Sequence, residues 1–484
     1  MNRLPPLAVL LLVAVACSES PDTPMEAVHG SAEAGASRVS SSADAGPGSF
    51  RQAVLDANAD PSIGAIRFEG GLDPIKLVTP VTYSGSQDLV IRAGGAVLDG
   101  KQLGDGESAF VADGGGNLTL SGLGVSRAPG NGITVKVPDA ATGTFHARLE
   151  GVVIRENGLH GILINDQAEY FNDPESTSEE GSDAGLLVEV VDSRFERNGF
   201  SLIDSDGLRI NEGGGGTLVA HVRDTRFANN GADGLELDER GDGDADFSVR
   251  GTALIGNGSF TTEDLDDGID VDESGEGDLI GRFNDVLASR NFEQGFDLNE
   301  NGPGDLRAKM VDVQAVANAE EGIEFEEDDD VAGGGGIDAE LFRVTARANG
   351  ANGGDAGLKL REKGDGDLVA RLVETVSVDN RMTSDEEAID GILLQEDESG
   401  DLTADLVQAT ARRNSGDGIQ LEENEDGDLD GRIRRSTASG NGGAGADLAQ
   451  VEPGAGSVEF VEFTAPGNAD GPIAAEGVTT SGAP

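Results

Sequence analysis

A glycine-led unit of 27 residues, sometimes lengthened by a short insertion, repeats through most of this chain and limits what it can fold into. The glycines stand at Gly207, Gly234, Gly268, Gly295, Gly322, Gly357, Gly391, Gly418 and Gly445, with looser copies at Gly132 and Gly161. Each unit reads Gly, aliphatic, any, aliphatic, any, Glu, three turn residues, Gly-Asp-Leu and a second alternating stretch. An asparagine follows 23 residues after the glycine at Asn230, Asn257, Asn291, Asn318, Asn414, Asn441 and Asn468, and Asn380 makes an eighth. Alternation such as Ile419/Leu421 and Leu402/Ala404/Leu406 has the period of two of half-buried strands, and no helical face can be drawn through it. Two clear short strands and a third cannot close a core alone. Stacked units bury the alternate aliphatics in one continuous column, which predicts an all-β solenoid. A propeller blade needs about 40 residues, more than this unit offers. A leucine-rich repeat has the right length but wants a helical or extended convex run, and it stays open as the alternative.

Met1–Ala16 reads as a secretory signal, with Arg3 as the positive start and Leu7–Val15 an apolar stretch too short to span a bilayer. The only cysteine, Cys17, follows Ala14-Val15-Ala16 in a run that resembles a bacterial lipobox. The resemblance implies that its thiol is acylated and becomes the new N-terminus; the alternative is a conventional signal with an unpaired thiol. Residues 17–47, poor in large apolar side chains, are expected to form a disordered tether. Residues 48–131 then hold the N-terminal cap and first irregular rungs, 132–470 the regular rungs, and 471–484 a C-terminal tail. The expected location is the bacterial cell envelope, anchored at the outer membrane by the lipid alone.

With 91 acidic against 34 basic residues, a formal charge of −57 repels phosphate backbones, so nucleic acid is excluded as a partner. The chain has 73 glycines, no tryptophan and two tyrosines, which leaves little aromatic surface for stacking on neutral sugars. Charge chemistry must do the recognition instead.

The asparagine column resembles the internal asparagine ladder of right-handed parallel β-helices. The opening Ser49-Phe50-Arg51-Gln52-Ala53-Val54-Leu55-Asp56-Ala57-Asn58, followed by Ala65-Ile66-Arg67-Phe68 and Ile75-Lys76-Leu77, is similar to that of bacterial surface β-helix proteins of the pectate-lyase-like fold. The resemblance spans about residues 48–470. It implies a single-stranded right-handed parallel β-helix capped by a short helix, with Ser49 as N-cap and Phe50, Val54 and Leu55 on one face. That scaffold hosts lyases, hydrolases, epimerases, adhesins and inert surface proteins, so it leaves activity open.

Stacking turns each repeated acid into a column. Five residues after the glycines stand Asp166, Glu212, Glu239, Glu273, Glu300, Glu327, Glu362, Glu396 and Glu423; at the following turn stand Asp244, Asp278, Asp305, Asp367, Asp401 and Asp428. Like charges about 4.8 Å apart repel by about 1 kcal/mol in water and by more when desolvated. Outward splay into solvent relieves this, as does calcium, which takes several oxygen ligands in loose geometry. The candidate calcium ligands are Glu239, Asp242, Asp244, Asp246, Glu273, Asp278, Glu300, Asp305, Glu362, Asp367, Glu396, Asp401, Glu423 and Asp428, densest at Asp242-Gly243-Asp244-Ala245-Asp246.

A basic stripe, Arg148, Arg282, Lys309, Arg371 and Arg432 with His221, runs along the second strand; it faces either an anionic polymer or the chain's own acids. His160 at a rung corner, with Lys136, His146 and Arg148 one rung earlier, is the only grouping that approaches a catalytic set, and no catalytic residue is assigned. Insertions at 199–206, 258–267, 350–356 and 381–390 share one corner, and those at 167–184 and 333–336 another. Loops stacked on one edge of a solenoid commonly wall its binding face. The expected function is a lipid-anchored envelope rod that binds polysaccharide or another surface component; the alternative is a polysaccharide lyase or epimerase acting on a uronate glycan. The sequence leaves the oligomeric state open.

Overall fold

The computed structural model describes residues 35–482 apart from 168–180, 262–264, 329–333, 385–387 and 452. The signal segment, Cys17 and the tether up to residue 34 lie outside the described residues.

One rung consists of Leu279–Asn284, Leu287–Ser289 and Phe296–Glu300, and the next of Leu306–Val311, Gln314–Val316 and Ile323–Glu327. Each strand pairs in parallel with its equivalent one rung on: Leu279 with Leu306, Leu287 with Gln314, Phe296 with Ile323. The outcome is three parallel sheets of 16, 13 and 14 strands, called A, B and C in rung order, wound as a right-handed parallel β-helix. Alternate residues point inward, so Leu279, Phe283, Phe296 and Leu298 are buried. Edge-on rings pack between and within rungs: Phe247 meets Phe283 of the next rung at 5.5 Å, and Phe283 meets Phe296 across its own rung at 5.2 Å.

The steps from A to B and from B to C are each made by one left-handed residue. Examples are Asp285 and Arg290 on one rung and Asp312 and Ala317 on the next, with φ between 55° and 59°. Directly after the second of these bends lies the asparagine ladder. Each Nδ2 donates to the Oδ1 of the next rung's asparagine at 2.9–3.3 Å, from Asn157 through Asn198, Asn230, Asn257, Asn291, Asn318, Asn349, Asn380, Asn414 and Asn441 to Asn468. Asn157, Asn198 and Asn349 escape the 23-residue offset because of local insertions and loose early repeats. The repeat glycine is required by space rather than by φ. A Cβ on Gly418 would sit 2.5 Å from the Gly445 carbonyl oxygen and 2.6 Å from Asn441 Nδ2.

The helix Phe50–Ala59 plugs the first rung, and Ser49 Oγ accepts from Gln52 N–H at 3.1 Å. Its buried face is Phe50, Ala53, Val54 and Ala57; Leu55, expected on that face, points to solvent because helical spacing turns it away. The ordered fold also passes both boundaries drawn from composition. Ala36–Val39, within the expected tether, pairs with Ala65–Phe68 and covers the first edge of sheet A. In the expected tail, Ile473–Glu476 and Val478–Ser481 pair with the last rungs of sheets C and A. Open ends leave unpaired strand groups, and short polar strands satisfy them.

Removing one amide from the ladder leaves buried donors and acceptors unpaired on both sides. Asn291→Ala is expected to cost at least about 2 kcal/mol in urea unfolding. A surface control such as Ser457→Ala stays within about 0.5 kcal/mol.

Candidate functional site

On sheet C the second residue after each repeat glycine points outward. In register this column reads Arg209, Glu236, Asp270, Asp297, Glu324, Lys359. Outward residues of a solenoid normally meet water, yet Arg209, Glu236, Glu324 and Lys359 are only 3–7% exposed. Insertions between sheets B and C stand beside this column, and their Asp204 and Asp355 reach its Arg209 and Lys359, which makes its outer face a sheltered cleft. The residue before each glycine adds a second row, Asp206, Asp233 and Asp267, in which each carboxylate accepts the backbone N–H of the following rung.

Charge along the cleft is uneven. At one end Arg209 donates to Asp204, Glu236 and Asp238 at 2.7 Å. At the other, Lys359 Nζ lies 2.6 Å from Glu324, 3.0 Å from Glu326 and 3.1 Å from Asp355. Between these cations lie Asp233, Asp267, Asp270 and Asp297, for which no ion pair is seen among the described residues. Three overlapping groups, Asp204/Asp206/Glu236, Asp233/Glu236/Asp270 and Asp267/Asp270/Asp297, each bring carboxylate oxygens within 4.8 Å of one another. Oε2 of Glu236 and Oδ1 of Asp270 and Asp297 are buried without a hydrogen-bond partner. Burial first, and then the neighbouring carboxylates, push the pKa values of Asp233, Asp267, Asp270 and Asp297 well above the usual carboxylate range. Such a set needs protons or a cation, and all-oxygen ligands from several rungs suit a hard divalent ion such as calcium.

At the Arg209 end, His160 Nδ1 lies 3.1 Å from the Asp206 carboxylate, and both side chains are buried. Burial acts to raise the Asp206 pKa, but His160 and Arg209 outweigh it and hold the group below its usual value.

The columns singled out from the sequence do different work. Glu239, Glu273, Glu300, Glu362, Glu396 and Glu423 stack in register and are fully buried. Each turns inward at the strand end and accepts a backbone N–H two residues ahead in its own turn; Gly241 N–H to Glu239 Oε1, at 3.1 Å, is typical. The expected solvated or cation-bridged glutamate turns are therefore interior positions. In the same register the column ends at Gln450, whose neutral amide accepts from Leu429 N–H at 2.8 Å and donates to Gly427 O at 3.0 Å. The aspartates face outward. Asp244, Asp278, Asp305, Asp367, Asp401 and Asp428 each accept the backbone N–H of the next rung through Oδ1, at 2.7–3.1 Å. Asp242 is exposed, and Asp246 pairs with Arg282. Among the described residues, the carboxylate triads form on sheet C and not along these two columns.

The basic stripe pairs with acids on adjacent strands: Arg148 with Glu189, Arg282 with Asp246, Lys309 with Glu340, Arg371 with Asp405, Arg432 with Glu459. Lys309 and Arg371 also cover the Phe342 ring. His221 meets Ser248 at 2.9 Å. The hydrogen bond from His146, 2.8 Å from Glu189, and after it Arg148, pull that carboxyl down to about 2.

The buried glutamates predict an unusual pH dependence. Burial, reinforced by the carboxyls of adjacent rungs, raises Glu239 to about 12, Glu300 and Glu362 to about 11, and Glu423 to about 8. A carboxyl whose folded pKa exceeds its unfolded value of about 4.3 favours folding fully below that unfolded value. The contribution is lost as pH rises toward the folded value. The melting temperature is therefore expected to fall steadily from about pH 5 to about pH 9. Glu239→Gln, which repeats the chemistry of Gln450, is expected to flatten that slope; an unchanged slope in calorimetry excludes the column as its source.

No protein-family model matches the chain, and no curated protein matches it. Among solved structures it is similar to pectate lyase Pel9A, at 16% identity over 64% of this chain and 80% of that one, with a TM-score of 0.41. It is also similar to the periplasmic alginate epimerase AlgG, at 11% identity, 85% and 77% coverage and a TM-score of 0.42. A third likeness is to the A-module of the Azotobacter vinelandii mannuronan C-5 epimerase AlgE6, at 12% identity, 92% and 99% coverage and a TM-score of 0.39. Identities this low assign nothing in the cleft, and the β-helix is defined by the chain's own strand register.

Proposed function

We propose that this chain is a lipid-anchored protein of the bacterial cell envelope whose β-helix is a rigid rod and whose sheet C cleft binds calcium and, through it, an acidic polysaccharide. The observation that carries this reading is the convergence of Asp233, Asp267, Asp270 and Asp297 from three successive rungs, for which no ion pair is seen among the described residues. Calcium held there would neutralise the carboxylates and keep coordination positions for carboxylates of a bound polymer. A cleft that runs along stacked rungs suits a linear chain better than a compact ligand. Cys17, with no helix among the described residues long and apolar enough to cross a membrane, is the proposed anchor.

One observation favours the enzymatic alternative. His160 and Arg209 flank Asp206 at the end of the cleft, where a base and a cation beside a bound uronate would serve a lyase or epimerase. Release of unsaturated products or inverted sugars from uronate polymers, lost in His160→Ala, would establish that reading over the inert rod.

Calorimetric titration tests the cation site. Calcium is expected to bind the native chain, and Asp270→Asn/Asp297→Asn to remove that binding. At a hundredfold excess over its dissociation constant calcium should add about 2.7 kcal/mol of stability per site. Sodium chloride at matched ionic strength should not. Cosedimentation with polyuronate is expected to require calcium; coincident curves in calcium and sodium, or glycan binding in EDTA, overturn the bridging role. For the anchor, Cys17→Ser is expected to move the protein from the membrane fraction to the soluble fraction, and retention of the variant in membranes removes the lipid from the account.

A further inference from the structure

Nine large hydrophobic side chains are exposed among the described residues, and four gather at one corner: Phe200 (45%), Leu202 (48%), Ile203 (43%) and Phe292 (41%). This is the corner between sheets B and C, on the rim of the carboxylate cleft. Phe200 meets Phe260 edge-on at 6.4 Å, which ties the 199–206 insertion to the 258–267 insertion two rungs away. Phe292 donates its N–H to Asn257 O at 3.0 Å and so stands on the rung beside that second insertion. Elsewhere the large exposed apolar residues, Leu55, Val78, Val153, Val369 and Val451, are dispersed along the chain. Scattered apolar residues need no explanation, but a cluster on an otherwise acidic surface marks a contact site.

The same segments carry the acids of the rim. Asp266 follows Phe260 within its insertion, Glu293 follows Phe292, and Asp204, which follows Ile203, is paired with Arg209. An apolar lip edged by carboxylates, on a chain of net charge −57, is complementary to a ligand with one apolar face and positive charges beside it. A bare acyl chain or a neutral sugar would use the lip and gain nothing from the acids. An acidic glycan would be repelled by them unless calcium intervened.

We propose that this corner is a docking surface for a basic amphipathic peptide segment of a partner protein. Its apolar side chains seat on Phe200, Leu202, Ile203 and Phe292, and its Lys or Arg side chains lie in the negative field of the surrounding acidic surface. The rigid Phe rings supply the anchoring contact, and the charges steer the approach and fix polarity. This goes beyond the calcium and glycan reading: it uses the lip rather than the cleft floor, and it requires no metal.

The probe is a fluorescent Leu/Lys amphipathic peptide of about 14 residues, titrated with the full chain in EDTA at low salt and again at about 0.5 M salt. Oligolysine of equal charge and a Leu/Glu peptide of equal apolar content serve as comparisons. The Leu/Lys peptide is expected to bind at least about tenfold more weakly to Phe200→Ser/Phe292→Ser, with little change in melting temperature because both rings belong to the corner loops and their flanks and the rungs close without them. High salt should weaken binding, oligolysine should be indifferent to the two substitutions, and the Leu/Glu peptide should not bind. The tenfold ratio should persist in the Asp270→Asn/Asp297→Asn background, where calcium binding is lost, so failure of the cation site and failure of the lip are separable. Equal binding to wild type and the Phe variant overturns the proposal. So does comparable binding of the Leu/Glu peptide, or of neutral phosphatidylcholine vesicles, since docking would then be apolar without a charge requirement.

Discussion

Parallel stacking in register is the constraint on which everything else in this protein depends. Backbone hydrogen bonds join each strand to its equivalent one rung away, so a residue type repeated in sequence becomes a column of identical side chains about 4.8 Å apart. Columns of aliphatics and phenylalanines are favourable, because like surfaces pack on like. Columns of polar groups are favourable only if the group complements itself. The asparagine amide does, carrying donor and acceptor together, and eleven of them from Asn157 to Asn468 form one buried ladder.

Carboxylates do not complement themselves, and the fold resolves that conflict in two ways. The turn aspartates point outward and take a backbone N–H from the next rung, which offsets their charge while water screens the remainder. The strand-end glutamates point inward, where one oxygen caps the turn and, as at Glu239, burial and the carboxyls of adjacent rungs favour the protonated acid. Gln450 at the end of that column shows that a neutral group fits the same space. The sheet C carboxylates share these remedies only in part: Asp233 and Asp267 take a backbone N–H from the next rung, whereas Asp270 and Asp297 each keep one buried oxygen without a partner. The formal charge of −57 therefore overstates what the folded chain carries at neutral pH.

The corner insertions convert a uniform rod into one with a distinct middle. Sheets A and B continue past them with little change, and the basic stripe on sheet A is neutralised by acids on adjacent strands. Among the described residues, only at the B-to-C corner do loops both shelter ionisable groups and expose phenylalanines. A solenoid tolerates such insertions because each rung closes without them, which leaves loop sequence free to build a site on a rigid base.

The 27-residue period, the inward aliphatics, the asparagine column and the capping helix were legible in the sequence because each is set by a local repeat or a short-range pattern. The strands Ala36–Val39 and Ile473–Glu476 were not, since they have no apolar signature of their own and form only by pairing with an edge already built. Side-chain direction at the strand end was also hidden. Period-two alternation places Glu239 and its equivalents at a corner, where the turn decides between core and solvent. The cleft was hidden most completely: Asp233 and Asp267 precede repeat glycines and Asp270 and Asp297 follow them by two, but other copies carry Gln294, Ala356, Arg209 or Lys359 there, and the four aspartates lie up to 64 positions apart in the chain. The sequence by itself determined that the chain must stack into columns, because no single unit can bury its own apolar face. Only the tertiary structure decided which carboxylates converge without counter-charge, because that depends on how rungs register and which corner the insertions shield from water.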